Sequence, residues 1–486
     1  MHKLFEDKQR NKILFLIFCI GIFYFFTTLK GHGWGDDFAL YLLHAKNITE
    51  GNPYGETGYI YNPLAESYAP QNYPPGFPAL IAPCYAMFGL NLTPYKILIV
   101  VFVLWMLWLS YLLFKKYLPF NYLFCLIFFL GMSPFIWEIR DGILGDFPAT
   151  CFFLLAIWLE LKRTEKDTSA LAITEGLSIY ISYAMRTTGI VLIPALLYRY
   201  FFEKKRKDKK MFLVLISFFV PAIIQSLLMP DSKGYMSMAM QKYNGQSFIV
   251  ILTDIFSQIN KYIDDFKFFT LRYGNNQELN KILATICFCF FLTGWYLHAK
   301  KYFSFIDITL LCFAGLVFVW PFYQSLRYLI PILPFYAYFI ANAIYHIDVL
   351  RFRRFTIIFI LALTLWIYLG YYIRRGYGEV TYGVQSVNNQ QIFDYIKNNT
   401  EEDVVIMSTK PRAFTLYTGR KGIVYPDIKY WNEYENCLRE NHVQYIVTGQ
   451  IDYNSYPIEI AKKDTSKFIS IYKSETFEMF KINFEK

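Results

Sequence analysis

Blocks of consecutive apolar residues, most of them about as long as a membrane is thick, alternate along this chain with short polar loops. They lie at 13–29, 95–114, 120–137, 147–161, 170–185, 187–200, 211–229, 281–297, 305–320, 327–347 and 355–372. A helix of about 20 apolar residues crosses the roughly 30 Å of bilayer hydrocarbon. The pattern therefore predicts a polytopic α-helical membrane protein with about 11 transmembrane helices. The blocks at 170–185 and 187–200 are short for full crossings, and they read as a helical hairpin with Arg186-Thr187-Thr188-Gly189 at its apex.

Basic residues set the expected orientation. Lys3, Lys8, Arg10 and Lys12 precede the first block. Lys115-Lys116, Lys162-Arg163 with Lys166, the run from Lys204 to Lys210, Lys300-Lys301, and Arg351 with Arg353-Arg354 fall in later loops. By the positive-inside rule these loops and the N-terminus are cytoplasmic. Left outside are the loop 30–93, a short loop at 137–147, a segment 230–280 and the C-terminal tail. The runs 249–256 and 262–269 are amphipathic and suit helices lying on the membrane surface. From about Gly376 the composition becomes that of a soluble domain: Ile392, Tyr395 and Ile396 have helical spacing, while 404–407, 423–425, 443–447 and 468–472 are β-like runs. The expected organisation is a transmembrane domain over 1–375, including the first outer loop 30–93 and the outer amphipathic segment 230–280. A small C-terminal α/β domain over 376–486 follows on the outer face.

Composition agrees with this class. Of 486 residues, 55% are hydrophobic and 20% aromatic, well away from an ordinary soluble enzyme. The formal charge of +10 does not point to nucleic acid, because the basic residues cluster in inter-helix loops. The first block is followed by Lys30-Gly31-His32 rather than a small-residue cleavage site, so it reads as a retained anchor. Six of the eight cysteines fall inside apolar blocks, and only Cys84 and Cys437 are placed to lie outside or near a surface. Cys287 and Cys289 point to different helix faces, which argues against a metal pair, and no zinc or redox motif is present.

The chemistry begins at Gly35-Asp36-Asp37, two adjacent carboxylates just beyond the first apolar block. Ionisable groups at a membrane boundary are costly and mark a functional site by default; the plainer reading is a pair of helix-capping residues. Three further groups share the expected outer side. One is the run Tyr73-Pro74-Pro75-Gly76-Phe77-Pro78, whose prolines forbid continuous helix. Another is Glu138, Arg140, Asp141 and Asp146 in the second outer loop. The last is a set of arginines at helix ends, Arg186 and Arg327 with Arg272. Such arginines often only snorkel, yet together the groups put acidic and cationic residues on one face.

In order and sidedness these segments resemble the GT-C superfamily of membrane glycosyltransferases. The resemblance rests on Gly35-Asp36-Asp37, Asn72-Tyr73-Pro74-Pro75-Gly76-Phe77-Pro78, Ile143-Leu144-Gly145-Asp146-Phe147-Pro148, Tyr183-Ala184-Met185-Arg186-Thr187-Thr188-Gly189 and Arg327-Tyr328-Leu329-Ile330-Pro331. The pattern is most like the branch holding protein O-mannosyltransferases and the transferases that add aminoarabinose to lipid A. It covers roughly residues 10 to 372, and Tyr417-Thr418-Gly419-Arg420-Lys421 resembles the tail of bacterial members. One departure is the absence of a lysine beside the first-loop prolines, so another residue must do whatever that lysine does.

The resemblance implies transfer of a sugar from a polyprenyl-phosphate donor to a lipid, glycan or protein acceptor on the outer face of a bacterial cytoplasmic membrane, with inversion. Asp36 and Asp37 match the family's catalytic carboxylate, with Asp36 favoured as base by position, and Asp146 matches a second acidic residue. Arg186, Arg327 and then Arg140 are the implied ligands of the donor phosphate. Glu138, Asp141, Tyr73 and Tyr328 are expected to contact substrate. No cofactor is required in this branch, whereas oligosaccharide-transferring relatives use a divalent cation such as Mg²⁺ or Mn²⁺. A polysaccharide polymerase or ligase, or a lipid-linked glycan transporter, remains the alternative. The halves of the chain do not resemble each other as a transporter's usually do, and a polymerase has no need of the acidic pair.

Overall fold

The computed structural model describes residues 2–65, 70–202, 210–229, 235–268, 277–323, 325–346, 350–427, 431–449, 451–452, 459 and 464–484. The basic run 204–209 and Arg272 lie outside the described residues. The chain forms two compact units. One comprises Met1–Thr28, Lys96–Pro230 and Ala239–Tyr377, and the other Leu29–Tyr95, Asp231–Met238 and Gly378–Lys486.

The first unit is helical, and every apolar block of the sequence falls on helix. Among the described residues, five helices are long and apolar enough to cross a membrane: Glu6–Phe26, Thr93–Phe114, Met211–Leu228, Lys281–Tyr302 and Leu326–His346. Phe120–Gly131 with Pro134–Arg140 makes a sixth candidate, bent by 47°. The chain is a multi-pass membrane protein. The bend has a local cause: Pro134 at the start of the second piece has no N–H to continue the ladder. The backbone oxygens left at the break accept from tyrosines, Gly131 O from Tyr24 at 2.6 Å and Met132 O from Tyr372 at 3.0 Å.

The segment expected as a hairpin at 170–200 forms Ser169–Met185, a 3₁₀ turn Thr187–Val191 and Leu192–Phe202, the first helix packing on Asp146–Glu165 and Met211–Leu228 and the last on Phe305–Val319. The 3₁₀ turn needs Gly189, because a Cβ there would meet Tyr183 N at 2.6 Å. At the opposite end of Ser169–Met185 and of its neighbour Asp146–Glu165, Arg163 bonds Glu160 at 3.1 Å, Asp167 at 3.0 Å and Glu175 at 2.8 Å. With Arg163, Glu160 and Glu175 buried and Asp167 partly exposed, this ion network ties together the two helices whose other ends carry Asp146 and Arg186.

The second unit holds a six-stranded sheet: β1 Tyr59–Ile60, β2 Val405–Met407, β3 Lys421–Ile423, β4 Val443–Gly449, β5 Phe468–Lys473 and β6 Phe477–Ile482, in the order β1-β3-β2-β4-β6-β5. Strands β1, β3, β2 and β4 run parallel, and β6 and β5 pair antiparallel at the far edge. Met407, Ile423, Tyr434, Cys437, Ile446 and Phe480 pack the core, so Cys437 is an interior residue. A boundary at 375/376 is where the composition changes, but the compact unit is larger than the tail. The first outer loop contributes β1, and Asn62 Nδ2 donates to Val424 O at 2.9 Å. The tail supplies five strands, and the loop Leu29–Tyr95 adds the edge strand β1 to the same sheet. The proline run opens a separate short helix, Gly76–Phe88, ahead of the span that starts at Thr93.

Candidate active site

Within the second unit, Asp36 and Asp37 open the helix Asp36–Glu50, where the exposed N–H groups of a first turn favour carboxylates. Capping alone does not account for them. The helix Pro411–Thr418 follows the carboxyl end of β2, and its first turn meets the pair. Asp36 Oδ2 accepts from Arg412 Nε at 2.7 Å and Oδ1 from the Ala413 N–H at 3.0 Å. Both oxygens of Asp36 are therefore engaged, and its side chain is 5% exposed. Asp37 is the more open carboxylate at 26%. Its Oδ1 accepts from Tyr73 Oη at 2.7 Å, with Arg412 Nη1 at 3.5 Å.

Tyr73, expected to touch substrate, is buried, and its hydroxyl bonds Asp37. Its ring stacks on Tyr41 at 4.7 Å, its carbonyl accepts from Tyr54 Oη at 2.7 Å, and its N–H donates to His44 Nε2 at 3.3 Å. His44 Nδ1 in turn lies 2.9 Å from Tyr54 O. Burial pushes the His44 pKa down to about 4, so the imidazole is neutral near pH 7. Burial also opposes the charge of Arg412, but Tyr73, Asp36, Tyr59 and Asp37 outweigh it and hold the guanidinium's pKa above its ordinary value.

The first unit gathers charge on the opposite plan. Asp146, the first residue of Asp146–Glu165 and 4% exposed, takes Arg186 on Oδ1 and Arg327 Nε on Oδ2 at 3.1 Å. Arg186 arrives from the start of the 3₁₀ turn Thr187–Val191 and Arg327 from the 3₁₀ segment Leu326–Ile332. Arg327 is the more open, at 23% against 11%. Tyr328 lies under the Arg186 guanidinium, 5.3 Å from ring centroid to Cζ. Two guanidiniums thus meet on one carboxylate.

Arg140 does not join them. It is fully buried, donates to Thr27 O at 3.0 Å and Asp141 Oδ1 at 3.1 Å, and lies over the rings of Tyr24 and Trp137. Asp141 also holds Lys96 at 3.5 Å, and Glu138 accepts from Tyr371 Oη at 2.5 Å. These contacts tie helices together, and Glu138 and Asp141 stay partly exposed. Lys96 and Arg412 are the charged residues that sequence reading missed. A lone lysine in an apolar block is itself a signal, whereas nothing local distinguishes Arg412 from any other arginine of the tail.

The donor set does not suit a divalent cation: Asp36 is taken up by Arg412 and Ala413, and Asp146 lies between two guanidiniums. Among the described residues no group of three or more His, Cys, Asp or Glu is placed to hold one.

In fold the chain is similar to solved structures of two membrane proteins. ArnT from Cupriavidus metallidurans, solved bound to undecaprenyl phosphate, superposes with a TM-score of 0.57 over 96% of this chain and 97% of its own, at 10% identity. The archaeal oligosaccharyltransferase AglB from Archaeoglobus fulgidus, solved with an inhibitory peptide and a dolichol-phosphate, gives 0.56 over 98% and 75%, at 11% identity. No family model and no curated protein matches the sequence.

Proposed function

We propose that this protein is an inverting membrane glycosyltransferase that moves a sugar from a polyprenyl-phosphate carrier to a lipid, glycan or protein acceptor. One observation carries the reading: Arg186 and Arg327 converge on a single carboxylate and bring two positive charges together. A lipid phosphate leaving from a sugar needs that charge, because negative charge grows on its oxygens as the glycosidic bond breaks. Planar guanidinium groups can hold two such oxygens at once. The likeness to ArnT and AglB, whose structures hold undecaprenyl phosphate and a dolichol-phosphate, supports the same class of donor.

Asp37 takes the acceptor hydroxyl's proton. The freed oxygen attacks the anomeric carbon from the side opposite the phosphate, and the carbon–oxygen bond to phosphate breaks, its electron pair leaving on the polyprenyl phosphate. Asp37 rather than Asp36 is the base because it is the more exposed of the two. Asp146 holds the two arginines in register for the phosphate. The loop charges support a cytoplasmic N-terminus, about 11 crossings and chemistry on the outer face of a bacterial cytoplasmic membrane.

The test is binding of undecaprenyl phosphate to the full chain in nanodiscs. Arg327→Ala should weaken it about 10- to 100-fold, the worth of one charge-assisted hydrogen-bonding group. Unchanged affinity in both Arg327→Ala and Arg186→Ala would remove the donor-phosphate assignment.

A further inference from the structure

We infer that Arg412 is the positioning residue of the acidic pair, fixing the orientation and charge state of Asp37 from the tail of the chain. The inference rests on Asp37 as base and concerns how that base is governed. A plain structural role for Arg412 would be complete with Asp36, which already takes Nε at 2.7 Å and binds the next N–H of the same turn. The rest of the guanidinium points elsewhere. Its Nη1 donates to Tyr73 Oη at 2.9 Å and lies 3.5 Å from Asp37 Oδ1, while the Tyr73 hydroxyl donates on to that same Oδ1 at 2.7 Å.

A phenol that accepts from a buried cation is a better donor, so the three groups polarise one another along the line Arg412, Tyr73, Asp37. Asp37 then keeps one oxygen pinned while its side chain stays a quarter exposed. Among the described residues, Asp36, Tyr41, His44, Lys46 and Glu50 are the other titratable groups of its own helix, and His44 is neutral. Tyr59 and Tyr73 come from the loop. The packed helix Gly76–Phe88 carries Cys84 and Tyr85, and the helix Pro411–Thr418, capped by Lys410, carries Tyr417 beside Arg412.

The tail therefore controls a residue some 375 positions earlier in the sequence. It also explains why the first loop and tail share one sheet, since β1 pairing with β3 brings the loop to the helix bearing Arg412.

The experiment reads protonation directly and needs no substrate. Full-length protein in nanodiscs is treated with a carbodiimide, which adds to protonated carboxyl groups, across a pH series. Labelling of Asp37 is then resolved from that of Asp36 by peptide fragmentation. Arg412→Gln should move the Asp37 labelling profile up by about one pH unit, the low end of the effect of an adjacent opposite charge. Arg412→Lys should return it most of the way, because the charge is kept. Tyr73→Phe should move it up by less, and it decides the matter if Arg412→Gln does not fold. Profiles of Arg412→Gln and Tyr73→Phe that overlay the wild type would overturn the inference. That result would leave Asp37 as base untouched, since the base assignment falls only if Asp37→Asn still transfers sugar.

Discussion

The two charged centres are built on inverse plans. In the second unit one guanidinium, Arg412, serves two carboxylates; in the first, two guanidiniums serve one carboxylate, Asp146. Asp37 is the more open carboxylate of the first arrangement, and Arg327 the more open guanidinium of the second. In the proposed reaction Asp37 removes the proton, and Arg186 and Arg327 hold the phosphate.

Exchanging the members of each pair should break or sharpen this contrast. Asp37→Asn should lower transfer by about 10²–10⁴, the usual worth of a general base, with thermal stability nearly unchanged. Asp36→Asn should do the reverse in kind: it leaves Arg412 buried beside a weaker partner, and denaturation should report a loss of up to about 3–5 kcal/mol. If Asp36→Asn instead proves stable and inactive, the roles of the two are exchanged.

Among the arginines the contrast is between open and sealed. Arg186→Ala and Arg327→Ala should each weaken undecaprenyl phosphate binding, whereas Arg140→Met should leave binding alone and lower the melting temperature. A loss of lipid-phosphate affinity in Arg140→Met would return Arg140 to the donor site.

The smallest effect expected is one of pH. His44 is held neutral in the folded chain, with a pKa near 4 against 6.5 unfolded. Between these values the unfolded chain binds more protons, so stability falls as pH is lowered from 6.5 toward 4, by about 1 kcal/mol per pH unit. His44→Gln should flatten that slope in a thermal-shift series, and an equal slope in both proteins would assign it to other groups.

How much of this was legible in the sequence depended on whether the signal was local. The apolar blocks, the helices of 170–200 and most of the tail's strands are set by runs of neighbouring residues, and they appear where periodicity puts them. Arg186 and Asp146 were legible because charge beside an apolar block is conspicuous. The pairing of Asp36 with Arg412 was not, since it depends on β1 joining β3 across some 360 residues. The surroundings of Arg140 were not legible either: its position in a charged loop suggested exposure, while the bent helix around Pro134 encloses it between Tyr24 and Trp137. Tyr73 belonged to a conspicuous proline run, but nothing local announced its hydrogen bond to Asp37.

The central claim is glycosyl transfer dependent on Asp37. Its most direct test is mass spectrometry of lipid, glycan and protein glycoforms from cells that lack the gene, carry the wild type, or carry Asp37→Asn at equal membrane abundance. The account predicts one sugar-bearing product present only with the wild type. Identical glycoforms in all three strains, or a product retained in full by Asp37→Asn, would contradict it.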